Sequence, residues 1–154
     1  MRGFAKLLTV IAVLGVGVLV APASDAATKS QAHRIAFQID QADPEIMNQV
    51  LNNVDNIVEY YNAKREEVEV EVVAYGPGLN MLREDKSPVK ERLARMKDSS
   101  FPANLQFSAC HNTMSAMEKK EGHSIPVVSE AVVVPSGVVR LNELQEQGWS
   151  YIRP

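Results

Sequence analysis

Apolar positions along the chain switch between a two-residue and a three-to-four-residue period, which predicts strands and helices in turn. Arg34-Ile35-Ala36-Phe37-Gln38-Ile39 alternates as a strand and ends at Asp40. A helix follows, with Asp43 placed to accept backbone N–H groups as N-cap, Pro44 suited to the first helical position and Glu45 at the positive end of the dipole. Ile46, Val50, Val54, Ile57, Val58 and Tyr61 then recur on one face. Val68, Val70 and Val72 alternate with Glu69 and Glu71 before Val73-Ala74, predicting a strand with a partly solvated face near the sheet edge. Tyr75-Gly76-Pro77-Gly78 breaks it.

Leu79 to Glu84 reads as a helical turn, and Ser87-Pro88 opens a helix in which Ser87 is the N-cap and Glu91 reaches back toward it. That helix ends near Asp98. Leu105-Gln106-Phe107 forms a third strand closed by Ser108-Ala109-Cys110, and His111 to Lys120 forms a helix stopped by Gly122. Ala131 to Val134, short and wholly apolar, predicts a buried strand. Val138, Leu141 and Leu144 mark one more helix, Gly148 ends it, and Trp149 to Ile152 is a terminal strand. The order βαβαβαβαβ specifies an α/β fold whose parallel strands are joined by right-handed helical crossovers. All strand-to-helix loops then meet at one edge of the sheet, where ligands bind in such folds. They carry Asp40, Tyr75 to Gly78, Ser108 to Asn112, and Pro135-Ser136-Gly137.

The N-terminal segment follows different rules. Arg2 and Lys6 precede a run from Leu7 to Val20 that is apolar or glycine apart from Thr9, and Ala21-Pro22-Ala23 and Ser24-Asp25-Ala26 are small-x-small cleavage sites. Residues 1–26 are therefore expected to be a secretory signal peptide, leaving one domain over 27–154 that is exported, into a periplasm, with no stable membrane anchor. The run is shorter than the roughly 20 apolar residues of a spanning helix. A formal net charge of −3 and the lack of any basic run argue against nucleic-acid binding. Hydrophobic residues at 45% and charged residues at 23% match a globular domain.

Cys110 is the one cysteine, so the fold must hold together without an internal disulfide. It lies at a strand end with a helix starting just after it, where free N–H groups and the helix dipole favour a thiolate; a protonated His111 would push the same way. A reactive or sulfur-carrying thiol and a buried, inert one are both consistent with that position. The Tyr75-Gly76-Pro77-Gly78 loop could cradle an anion, yet it lacks the Lys and Ser or Thr of a P-loop and the spacing of a dinucleotide fingerprint, and a tight turn needing glycine dihedrals is the plainer account. Cys110, His111, His123 and His33 match no zinc spacing, and neither a metal nor an organic cofactor is expected. No Gly-x-Ser-x-Gly is present, and Met47, Met81, Met96, Met114 and Met117 read as core filling.

Tyr75-Gly76-Pro77-Gly78 after the second strand, Phe107-Ser108-Ala109-Cys110-His111-Asn112-Thr113 after the third, Val134-Pro135-Ser136-Gly137-Val138 after the fourth and the terminal Tyr151-Ile152-Arg153-Pro154 resemble the DsrE/DsrF-like sulfur-relay family. The similarity runs from about Arg34 to the C-terminus. It implies a three-layer α/β/α sandwich with a mainly parallel five-stranded sheet, homo- or hetero-oligomers, and a cysteine that accepts sulfane sulfur as a persulfide and passes it on. Cys110 matches that cysteine. Tyr75, Gly76, Pro77, Gly78, His111, Asn112, Pro135, Ser136 and Gly137 are then the binding candidates, and the expected partners are a sulfur donor or acceptor protein, or a small sulfane-sulfur compound. The alternative is a noncatalytic module of the same fold that binds a small anion or assembles into oligomers, with an inert cysteine.

Overall fold

The computed structural model describes residues 32–99 and 103–154; the expected signal peptide lies outside the described residues. Five strands, β1 (His33–Ile39), β2 (Val68–Ala74), β3 (Asn104–Cys110), β4 (Ala131–Val134) and β5 (Ser150–Ile152), alternate with α1 (Pro44–Lys64), α2 (Lys90–Ser99), α3 (His111–Glu121) and α4 (Gly137–Glu146). A seven-residue 3-10 helix, Gly76–Leu82, follows β2 and takes in the glycine loop together with most of the predicted helical turn. The sheet is wholly parallel, in the order β4-β3-β2-β1-β5. In the register, Ile39 pairs with Ala74, Ala74 with Ala109, and Cys110 with Val134. The carboxyl ends of the four strands that lead into loops therefore line up.

Local sequence explains the helix starts. The Asp43 carboxylate accepts from the Glu45 N–H at 2.8 Å, with Pro44 as the first helical residue. Ser87 accepts from the Val89 N–H at 3.3 Å where the chain turns into α2. Gly122, at φ +76°, caps the end of α3 in the left-handed conformation.

The two faces of the sheet are filled unequally. Phe37, Ile39, Val70, Val72, Leu105 and Phe107 point to one side and pack against Met47, Val50, Leu51 and Val54 of α1, Leu79 to Leu82 of the 3-10 helix, and Leu93 of α2. Met114 and Met117 place α3 on that side too. The other side holds a small cluster of Ala36 and Val73 with Leu141 and Leu144 of α4. The helices thus form the two outer layers of a three-layer sandwich, with α4 as the outer layer on the second face among the described residues.

Two strand assignments change in the folded chain. β2 lies at the centre of the sheet, not near its edge, and Glu71 is 2% exposed rather than solvated. Its carboxylate accepts from Arg140 Nε at 2.8 Å and Nη2 at 2.7 Å, and from the Ser108 hydroxyl at 2.7 Å. A buried carboxylate is tolerated because every oxygen has such a partner. Conversely, β4 is an edge strand rather than a buried one, with Val132 and Val133 exposed. Hydrophobicity alone did not separate a sheltered strand from one awaiting a neighbour.

On the first face, Arg83 is fully buried and clamps α3 to the segment after the 3-10 helix. It donates to both carboxylate oxygens of Glu121, at 2.6 and 2.9 Å, and to both of Asp85, at 2.9 and 2.6 Å. Lys86 adds a 2.8 Å bond to Glu121. Hydrogen bonds from Arg83, then from Lys86, hold the Glu121 carboxyl down at about 2, against an ordinary 4.5. Because the folded value is the lower one, this contribution to stability is complete above about pH 4.5 and is lost as pH falls toward 2. Glu121→Gln is expected to be less stable than wild type at pH 7, with the gap in urea midpoint closing between pH 4.5 and 2. A gap independent of pH would show that the clamp acts by packing alone.

Two glycines of the loop after β2 are needed for different reasons. Gly76 has φ +52°, whereas Gly78 has ordinary dihedrals but lies so close to β1 that a Cβ there would sit 2.3 Å from the Ile39 carbonyl oxygen. The expected left-handed dihedral thus belongs to Gly76. Gly78→Ala should cost about 2 kcal/mol or more through backbone overlap, against about 1 kcal/mol for Gly76→Ala through dihedral strain. Equal small losses in urea unfolding would contradict that division.

Candidate functional site

Right-handed crossovers that move one way across a parallel sheet put their helices on one face, and those that move back use the other. α1, α2 and α3 accompany the steps β1 to β2 to β3 to β4; α4 accompanies the return from β4 to β5. The neighbours β3 and β4 therefore send their loops to opposite faces, and a crevice opens between them. Cys110 is the last residue of β3, at the mouth of that crevice, and it is also the N-cap of α3.

The thiol is 4% exposed. Burial pushes its pKa up, but the Thr113 hydroxyl and the backbone N–H groups of Gly137, Thr113 and Asn112 outweigh it, so the pKa lies below the ordinary value for cysteine. These donors come from the first turns of two helices: Asn112 and Thr113 from α3, and Gly137 from α4. The neutral thiol makes no capping hydrogen bond of its own, so the donors act mainly on the charged form. Helix N-termini with free N–H groups are suited to a thiolate.

Thr113 links this arrangement to the glycine loop. Its hydroxyl oxygen accepts from the Gly76 N–H at 2.9 Å, which leaves the hydroxyl proton to face the sulfur. The left-handed turn at Gly76 aims that N–H. The Asn112 N–H also donates to the Pro135 carbonyl at 3.3 Å, tying the start of α3 to the loop before α4. Ser136 caps α4, accepting from the Val139 N–H at 3.5 Å. Gly137 is buried, and a Cβ there would lie 2.9 Å from Cβ of Tyr75, so Tyr75 packs on the first residue of α4. Burial, then the charge of Asp40, raises the Tyr75 phenol pKa. Arg140, one turn into α4, holds that helix on the sheet through Glu71.

The remaining candidates fall outside this contact set. His111 is exposed and its ring lies 3.4 Å from Ser115 Oγ along its own helix. Pro77 is exposed on the outside of the loop, and Gly78 is packed against the end of β1. His33 hydrogen-bonds Glu66 at 3.0 Å and stacks on Tyr61 at the opposite edge of the sheet, and His123 lies 3.5 Å from Glu121, so the histidines do not gather at Cys110. Among the described residues no group of three or more potential ligands forms a metal site. Sequence reasoning missed Thr113, Glu71 and Arg140. The spacing Cys110-x-x-Thr113 was the available signal for the first, since a polar N3 side chain reaches back to an N-cap.

The chain belongs to the DsrE/DsrF-like family, which matches residues 18–154. It is also similar to a protein of unknown function from Methanobacterium thermoautotrophicum with a solved structure, at 33% identity and a TM-score of 0.66, covering 79% of this chain and 99% of that one. No curated protein matches the chain. Family and fold together relate it to the sulfur-relay proteins in general.

Removing the Thr113 hydroxyl while keeping its shape isolates its effect. Thr113→Val should raise the Cys110 pKa and slow iodoacetamide alkylation at pH 7 by about tenfold, the worth of one hydrogen bond to a charged group. The pH profile of alkylation is the measurement, and an unchanged profile would remove Thr113 from the site.

Proposed function

We propose that the protein accepts sulfane sulfur on Cys110 as a persulfide and yields it to an acceptor thiol. The observation that carries this reading is the convergence of Thr113, Asn112 and Gly137 donors from two helix N-termini on one buried sulfur, which lowers its pKa. Exchange of sulfur between thiols runs through a thiolate, and fixed N–H donors stabilise such an anion without reorganising. An inert core cysteine needs none of these donors. No general base is required, which agrees with His111 pointing along its own helix.

The expected export to the periplasm belongs to the same proposal: a thiol only 4% exposed is shielded from random oxidation in such a compartment. So does self-association. Val132 and Val133 on β4, with Val138 and Val139 at the start of α4, form the exposed apolar surface that we assign to contact with a second copy.

After incubation with thiosulfate or polysulfide, the intact mass should rise by one sulfur atom, about +32 Da, reversed by a reducing thiol. Cys110→Ser should take up nothing. If wild-type protein gains no sulfur from either donor, the module reading, in which the crevice holds a small anion and the cysteine is packed, takes its place.

A further inference from the structure

A groove of about 540 Å³ runs between the 3-10 helix and α3. One end is formed by Gly76, Asn112 and Thr113; the last two lie in the first turn of α3 beside Cys110, which does not itself line the groove. Its middle is walled by Pro77, Ala116 and Met117 with the polar Asn80, and its far end by Lys86, Lys120 and Glu121. Asn112 and Lys120 lie eight residues apart on one helix, so the groove extends about 12 Å from the sulfur end to the charged end. Its volume is in the range of small-ligand sites.

The charges at the far end are unevenly committed. Glu121 is already bound by Arg83 and Lys86. Lys120 is exposed and has no hydrogen bond or ion pair with another described residue. A chain with a net charge of −3 therefore offers a locally cationic groove end. An inorganic sulfane anion at the Thr113 end would not reach Lys120, and it would gain nothing from the largely apolar middle. The dimensions suit an elongated organic molecule with a carbon framework in its centre and a carboxylate at one end.

We propose that this groove binds an elongated, carboxylate-bearing organic thiol in its persulfide form, the sulfur at Thr113 and a carboxylate at Lys120. The persulfide chemistry rests on the carrier reading above; the groove does not. In the transfer, the Cys110 thiolate attacks the outer sulfur of R–S–SH. The S–S bond of the donor breaks, a new S–S bond forms on Cys110, and R–S⁻ departs with the electron pair while the proton stays on the transferred sulfur. Sulfane sulfur is exchanged with no net oxidation, so no further reactant enters.

S-methylglutathione, which cannot transfer sulfur, is the probe for the groove. Titrated into Cys110→Ser and followed by amide chemical shifts, it should perturb Ala116, Met117 and Lys120. Lys120→Gln in that background should weaken binding about tenfold, the loss of one charge-assisted contact, and the diethyl ester of the probe should bind the parent equally poorly. Lys119→Gln, on the same helix outside the groove, is the control and should bind like the parent. Absence of shifts in the groove, or equal binding of acid and ester, overturns the proposal. Wild-type protein is then treated with glutathione persulfide: binding of the probe without gain of sulfur in this arm overturns the persulfide donor proposed for the groove, whereas the carrier reading falls only if thiosulfate and polysulfide also fail to load Cys110.

Discussion

The arrangement of the protein follows from one constraint: where a chain of right-handed crossovers reverses its direction across a parallel sheet, the helices must change face. Here the return begins at β4, and the chain must leave that strand on the face opposite to the one used by its neighbour β3. Two helices therefore start side by side, on opposite faces, at adjacent strand ends. Any residue at the end of β3 lies between the first-turn N–H groups of two helices. Cys110 occupies that position, and its depressed pKa is a consequence of topology before it is a consequence of any one side chain.

The convergence has to be held in place, and each helix has its own anchor. α3 is fixed at its far end by the buried Arg83 and at its start by the Asn112 bond to Pro135. α4 covers its face with little apolar contact, so the Arg140 and Glu71 pair supplies a directional tie to the central strand. Ion pairs of this kind contribute less to net stability than to geometry, since the cost of burying both charges offsets much of their attraction. What they fix is the position of Gly137 over the sulfur.

How much of this was legible in the sequence depended on distance along the chain. Strand ends, the glycine loop and the cysteine at a helix start are local signals, and the fold class followed from their order. The role of Thr113 is local too, but a threonine inside a helix carries no mark until the N-cap is known. Glu71 and Arg140 are 69 residues apart, and a glutamate among valines reads as solvated until its partner is found. Val132 and Val133 misled for the reverse reason, because an apolar run signals burial without saying whether the cover comes from the same chain. The close approach of Gly78 to Ile39 likewise depends on a contact between strands, which no dihedral preference reveals.

The donors around Cys110 also bear on how readily it would release sulfur in the proposed carrier role. A thiol of low pKa is a weaker nucleophile per thiolate, yet it is a better leaving group when another thiol attacks a sulfur attached to it. Two helix ends and a threonine hydroxyl that stabilise the thiolate would therefore, in the proposed carrier, speed the departure of Cys110 from a persulfide as well as aid its ionisation. Under the proposed carrier role such a site would favour turnover over storage: sulfur placed there would rest only until an acceptor arrived.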